Sequence, residues 1–253
     1  MKSIVKKAML FVVTLLPAMI IGGLFTGIYS FDTYTTDMQN QMINQIGSYE
    51  LLLVVGTIQS VIYGALCGFL GYILSAKTNL MKSLCFEKDK IIKVLIITIA
   101  CGLLFSLDYW VFGKMLPEVA ILYESKITVS NFIASVLYGG IVEEILMRLF
   151  LMSLVVFIVW KLFFRSKSKE EIPWGVFVAA NVLTALLFAA GHLPATIGIF
   201  EQLTPLVLLR CFLLNGGFGI VFGRLYRKYG IQYAMLGHMG CHIISKVIWM
   251  IFV

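Results

Sequence analysis

Long runs of apolar residues, separated by short polar segments, make up most of this chain. Each run is close to or above the roughly 20 residues that an α-helix needs to cross a bilayer core of ~30 Å. The runs cover residues 8–30, 51–75, 91–112, 129–164, 174–193, 205–223 and 231–253. The pattern predicts an all-α, polytopic helical membrane protein with about seven transmembrane spans, or eight if the long fourth run is divided.

The composition agrees with this prediction. Hydrophobic residues make up 60% of the chain and charged residues 13%, which excludes a soluble globular protein. The first apolar run follows Lys6 and Lys7, as in a signal peptide, but it is too long for such a segment and no small-residue cleavage site closes it. We therefore expect a retained first span and a single integral membrane domain over residues 1–253.

The distribution of charge predicts the orientation. If the spans alternate, most of the basic residues that give the net charge of +7 lie on one side. They are Lys2, Lys6, Lys7, Lys77, Lys82, Lys88, Lys90, Lys93, Lys161, Arg165, Lys167, Lys169, Arg224, Arg227 and Lys228. The opposite loops are mainly acidic, so the positive-inside rule places the amino terminus and the basic loops in the cytoplasm. The positive charge therefore does not indicate a nucleic-acid partner.

Six ionisable residues lie deep inside apolar runs. An ionisable group in hydrocarbon costs several kcal/mol, so such residues usually face a cavity or a bundle interior and mark a functional site. The six residues are Glu143, Glu144, Arg148, His192, His238 and His242, and they include all three histidines of the protein. Asp108, Arg210 and Lys246 also lie in apolar runs but near their outer ends, where we expect them to reach the interface.

The two adjacent glutamates are expected to have different roles. On a helix, residues four apart share a face, so Glu144 and Arg148 can form an ion pair. Glu143 points away from that pair and can face a cavity, where a carboxylate can act as a base. The alternative is that this charged group only fixes helix packing, but a single Glu–Arg pair would be sufficient for that.

The histidines allow more than one kind of site. His192 shares a helix face with Phe188, and Pro194 is expected to mark the end of that helix. His238 and His242 are four residues apart on the last span. This spacing suits two imidazoles on one zinc ion, and it equally suits two hydrogen-bond donors aimed at one oxyanion.

Three motifs in order resemble a known family: Glu-Glu-x-x-x-Arg at 143–148, Phe-x-x-x-His at 188–192, and His238 with His242 near the end. They resemble the CPBP family, also called Abi, which contains CAAX prenyl endopeptidases of the Ras-converting-enzyme type and bacteriocin-processing or immunity proteins. The resemblance covers roughly residues 130–245. It implies a CPBP-like catalytic core in residues 128–253, whereas the first three spans, in residues 1–127, are not diagnostic.

The resemblance also implies a role for each motif residue. Glu143 and His192 would activate a water molecule, and His238 with His242 would hold the oxyanion. Glu144 and Arg148 would form a supporting ion pair. The chain departs from the family at His242, where the usual residue is Asn or Asp. An imidazole can donate a hydrogen bond as an amide does, but the change also creates a His-x-x-x-His pair that could bind metal.

The resemblance favours an intramembrane endopeptidase that cleaves a membrane-associated peptide or protein in a prokaryotic cell membrane. A non-catalytic immunity or scaffold protein of the same fold, and a proton or ion pathway, are the alternatives. No cofactor is expected, with zinc as the open alternative. We expect Glu143, His192 and His238 to converge on one water-accessible cavity that opens toward the cytoplasm.

Overall fold

The computed structural model describes residues 2–124 and 127–253, and the regular structure of these residues is helical. The helices are α1 (Lys2–Thr33), α2 (Thr36–Ile46), α3 (Tyr49–Lys77), α4 (Lys88–Ser106), α5 (Asp108–Val111), α6 (Pro117–Glu124), α7 (Val129–Phe163), α8 (Trp174–Gly191), α9 (Leu193–Phe200), α10 (Pro205–Tyr229) and α11 (Ile231–Phe252). Seven helical segments within the described residues are long and apolar enough to cross a membrane. The predicted all-α, polytopic architecture is therefore confirmed.

The outer surface of the bundle is apolar. Large hydrophobic side chains such as Leu10, Ile96 and Leu104 are 60–65% exposed on the long helices. Exposing so many apolar side chains to water would be unfavourable, whereas lipid tails are as apolar as the side chains themselves. The protein is an integral membrane protein.

Helix α7 lies at the centre of the packing, with α1, α3 and α11 against it. Small residues allow this close approach. A Cβ atom added to Gly71 of α3 would lie 2.8 Å from the backbone of Leu149, and one added to Gly22 of α1 would lie 2.9 Å from the backbone nitrogen of Tyr138. The helix that carries both glutamates is thus held by backbone-to-backbone contacts on two sides.

Helix α7 departs from the α-helical geometry that its sequence predicts. Two of its stretches, Ala134–Glu143 and Ile145–Met152, form π-helix, in which hydrogen bonds join residues five apart. The helix continues without a break to Phe163, so the fourth apolar run is not divided and does not give an eighth span. π-Helical segments occur frequently at functional sites, and Glu143 and Glu144 lie where the two stretches meet.

The fifth span also differs from the prediction. Helix α8 ends at Gly191, but α9 resumes at Leu193 and continues to Phe200, with His192 at the junction. Pro194 lies in the first turn of α9. Backbone N–H groups of a first turn have no partner within the helix, so the N–H that proline lacks is not needed there. Pro194 therefore begins a second helix, and the eight residues of α9 extend the span beyond His192.

We expected Asp108 and Arg210 to reach the membrane interface, but they pair with each other inside the protein. Arg210 donates from Nε to Asp108 Oδ1 at 2.9 Å and also bonds Oδ2, and Tyr123 donates to Oδ2 at 2.6 Å. Burial and then the Asp108 carboxylate raise the pKa of Tyr123 well above its usual range. The cluster joins α5, α6 and α10 near the end of the bundle that carries the acidic loops.

Candidate active site

Glu144 is the buried centre of the polar network. Its side chain is fully buried, and Oε1 lies 3.3 Å from Nη1 of Arg148 and 2.9 Å from Nδ1 of His238. The Glu144–Arg148 contact is the one that the four-residue spacing predicts. The contact with His238 comes from a distant part of the chain, and it fixes the ring, because a carboxylate accepts a hydrogen bond and Nδ1–H must donate it.

Arg148 is held from three sides. Besides Glu144, it donates from Nη2 to the carbonyl oxygen of Gly219 at 3.1 Å, and its guanidinium lies 4.7 Å from the centre of the Phe188 ring. A Cβ atom on Gly219 would lie 3.2 Å from that same nitrogen. The absent side chain at this position therefore leaves room for the buried guanidinium.

Glu143 and His192 form a second, more accessible pair. Glu143 Oε1 lies 3.7 Å from His192 Nε2, and the two side chains are 18% and 31% exposed. His192 Nδ1 lies 2.8 Å from the carbonyl oxygen of Phe188, so Nδ1–H donates and the neutral ring has its lone pair on Nε2. Two acceptors thus face each other at a distance too long for a direct hydrogen bond.

His238 and His242 are bonded to each other. Their Nε2 atoms are 3.1 Å apart. Because a hydrogen bond between two ring nitrogens needs one donor and one acceptor, one proton lies between these atoms. His238 also stacks on Phe222, with ring centroids 4.4 Å apart, and His242 meets the edge of Phe105. These aromatic contacts limit the orientations available to both imidazoles.

Gly139 separates the two pairs and was missed from the sequence. A Cβ atom at this position would lie 3.3 Å from His242 Nε2 and 3.8 Å from Glu143 Oε2. The missing side chain leaves open space between the carboxylate and the imidazole pair. The only sequence signal is a glycine four residues before Glu143, which alone does not separate this role from helix packing.

All four predicted catalytic residues line one cavity of about 890 Å³, which confirms that they converge. We expected the cavity to open toward the end with the basic loops, and its lining does not extend to that end. The cavity instead reaches Asp32 and Glu118 at the end with acidic loops. The basic end is closed by packing, because Tyr226 is buried there and hydrogen-bonds Ser153 at 2.8 Å.

A metal site would need at least three converging ligands. Among residues 2–124 and 127–253, no three His, Cys, Asp or Glu side chains are arranged to hold an ion. His238 and His242 offer two ring nitrogens, which is one ligand fewer than such a site needs.

Comparison with known proteins agrees with the sequence motifs. Residues 125–244 match a family model described as type II CAAX prenyl endopeptidase Rce1-like. Curated proteins gave no match, and solved structures gave none.

Proposed function

Since residues 125–244 of this integral membrane protein are a region of the Rce1-like family of CAAX prenyl endopeptidases, we propose that it is an intramembrane endopeptidase. It hydrolyses a peptide bond of a membrane-associated peptide or protein by attack of an activated water. The observation that carries this proposal is the Glu143–His192 pair, two acceptors 3.7 Å apart that line a cavity.

A water molecule suits this pair because it can donate one hydrogen to each acceptor. Glu143 Oε1 accepts one hydrogen, and His192 Nε2 accepts the other. Both lone pairs of the water oxygen remain free to attack a carbonyl carbon. As the new C–O bond forms, Glu143 takes the proton, acting as a general base. Its protonated carboxyl then gives that proton to the leaving amine as the C–N bond breaks.

The imidazole pair supplies the stabilisation of the oxyanion. The proton between the two Nε2 atoms is in a hydrogen bond that a substrate oxygen can replace. Glu144 holds His238 from the other side of the ring, through Nδ1. Because His238 carries its proton on Nδ1, the donor in the bond between the two rings is Nε2–H of His242. A donor held in position in this way needs little rearrangement when negative charge develops on the carbonyl oxygen, and this kind of stabilisation is usually large. His242 thus takes the place of an amide donor.

Glu144 and Arg148 act through His238, not on the substrate. Both are closed off from the cavity by the rings of Phe188 and Phe222, which lie over the guanidinium. Their role is to fix the ring of His238 and to hold α7 against α10.

The closed basic end favours hydrolysis over transport. A proton or ion pathway would need access from both ends, whereas the cavity reaches only the acidic end among the residues that the structure describes. A non-catalytic immunity or scaffold protein would need no carboxylate and imidazole acceptors facing each other in that cavity.

We also propose that the amino terminus is cytoplasmic and that the protein lies in a prokaryotic cell membrane. The basic loops support this orientation. With this orientation, the cavity opens on the outer side of the membrane, so the substrate reaches the site from that side or from the outer leaflet.

The test compares the membrane proteomes of cells that express the wild-type protein or the Glu143→Ala variant at equal abundance. We expect one or more membrane-associated proteins to be shortened with the wild type and intact with the variant. Identical proteomes at equal abundance of the two proteins would contradict the proposal.

A further inference from the structure

Lys246 is a buried cation that the proposed mechanism does not use. It lies on α11, is 5% exposed and lines the cavity together with His238 and His242. Within residues 2–124 and 127–253, no carboxylate lies within 4.0 Å of its ammonium group, and no hydrogen bond reaches it. The centroid of the Trp249 ring lies 5.8 Å from Nζ, and an aromatic ring does not neutralise the charge.

The other buried charges have partners. Arg148 is paired with Glu144, and Arg210 with Asp108. Asp108 is not available as a counterion for Lys246, because both of its oxygens accept hydrogen bonds from Arg210 and one also accepts from Tyr123. An unpaired buried cation is costly, so a lysine facing a cavity in this way suits an anion that enters from outside.

The position of Lys246 relates that anion to the catalytic centre. His238, His242 and Lys246 are spaced four residues apart and share one face of α11. At a rise of 1.5 Å per residue, Lys246 lies about 6 Å beyond His242 and about 12 Å beyond His238 along the helix axis. This direction leads to the cavity mouth, because α11 begins after the basic segment and ends at the acidic side.

We propose that Lys246 binds a carboxylate of the substrate and thereby sets where the chain is cut. This inference rests on the proposed peptidase function. An extended peptide advances about 3.3–3.6 Å per residue, so a carbonyl held by the imidazole pair places the carboxylate roughly two to four residues away. The carboxylate is either the free carboxy terminus of the substrate or an Asp or Glu side chain.

The surroundings of Lys246 suit such a contact. Trp249 is fixed by a hydrogen bond from Nε1 to the carbonyl oxygen of Ser106 at 2.9 Å, and its ring packs on Tyr123 with centroids 4.1 Å apart. These fixed rings form one wall beside the ammonium group, which faces the cavity. A carboxylate that enters the cavity can therefore make a charge-assisted hydrogen bond to the ammonium group.

The binding test uses purified protein carrying Glu143→Gln, so that the probes are not consumed. The probes are N-acetyl-trileucine with a free carboxylate, the same peptide as a carboxamide, and N-acetyl-Leu-Glu-Leu carboxamide. The readout is the rise in melting temperature with probe concentration, which gives the affinity. We expect the carboxamide without Glu to bind about tenfold or more weakly than a carboxylate probe.

Variants at Lys246 assign the effect to this residue. Lys246→Met should weaken the binding of the preferred carboxylate probe to that of the carboxamide, and Lys246→Arg should largely retain it. Lys114→Met is the matched control, because Lys114 is an exposed lysine on the same side of the protein. Preference for trileucine carboxylate identifies the carboxy terminus as the ligand, and preference for the Glu probe identifies a side chain.

The inference is overturned if no probe binds, if acid and carboxamide bind equally, or if Lys246→Met keeps the preference. Failure of the peptidase proposal looks different. Carboxylate binding through Lys246 without any hydrolysis by the wild type would contradict the proposed reaction but not this site, and hydrolysis without carboxylate preference would contradict only this site.

Discussion

The two adjacent glutamates should respond in opposite ways to removal. We expect Glu144→Ala to destabilise the protein strongly and Glu143→Ala to leave its stability nearly unchanged while abolishing activity. Glu144 is fully buried and contacts both Arg148 and His238, whereas Glu143 lies in the cavity opposite the imidazole of His192. Stability is measured as the free energy of unfolding of purified protein in detergent, together with abundance in the membrane.

The contacts give the magnitude. Removing Glu144 leaves the Arg148 guanidinium buried with only the Gly219 carbonyl as a hydrogen-bond partner, and breaking a buried pair in this way costs about 3–5 kcal/mol. The imidazole of His238 loses its acceptor as well, which adds about 1–3 kcal/mol if the contributions are independent. Glu143 is partly exposed and makes no direct hydrogen bond, so its loss should cost less than about 1 kcal/mol.

Isosteric variants separate charge from volume. Glu144→Gln keeps the size of the side chain and an oxygen acceptor but leaves Arg148 without its counterion, so it should still be clearly destabilised. The double variant Glu144→Gln/Arg148→Met removes both charges and should be more stable than the sum of the single effects predicts. Glu143→Gln serves as the matched control on the neighbouring position.

Equal destabilisation by Glu143→Ala and Glu144→Ala would refute the division of the two glutamates into a reacting and a supporting residue. Strict additivity in the double variant would show that Glu144 and Arg148 do not stabilise each other.

Three further predictions concern the cavity. Gly139→Ala should place a methyl group 3.3 Å from His242 Nε2 and reduce peptide hydrolysis about tenfold or more at unchanged folded yield. Gly217→Ala is the control and should leave hydrolysis unchanged, because its methyl group meets no atom within 4 Å. In intact cells, a membrane-impermeant maleimide should label Glu118→Cys at the cavity mouth but not the native Cys85 in the basic loop; the reverse result would invert the orientation. Purified protein should contain no stoichiometric zinc and keep its activity after chelation; activity lost on chelation and restored by zinc would make His242 a metal ligand.

The sequence predicted the membrane architecture well, because bilayer thickness imposes a length and composition on every span. The exact helices were harder to predict. Apolar runs do not distinguish α-helix from π-helix, since the hydrogen-bond register of α7 depends on its packing against neighbouring helices. His192 lies at a helix junction because Pro194 starts a new helix, and a proline signals both an end and a start.

The site was predicted in its residues but not in its connections. Spacing on one helix predicted the Glu144–Arg148 contact, and the family resemblance, now confirmed by the match over residues 125–244, grouped the other residues. The bond from Glu144 to His238 joins distant segments, so no local spacing reveals it. The direction of the cavity was missed for a similar reason, because it depends on contacts such as Tyr226 with Ser153. The roles of the site residues and the division at residue 128 stay predictions.

The most direct test of the account is hydrolysis by purified protein in water enriched in oxygen-18. Wild-type protein and Glu143→Gln, both in lipid vesicles and both shown to be folded, are incubated with a pool of peptides of varied sequence and analysed by mass spectrometry. We predict new carboxy termini that carry oxygen-18 with the wild type and none with Glu143→Gln. Fragments produced equally by both proteins, or none produced by the folded wild type, would contradict the claim that Glu143 activates water for peptide hydrolysis.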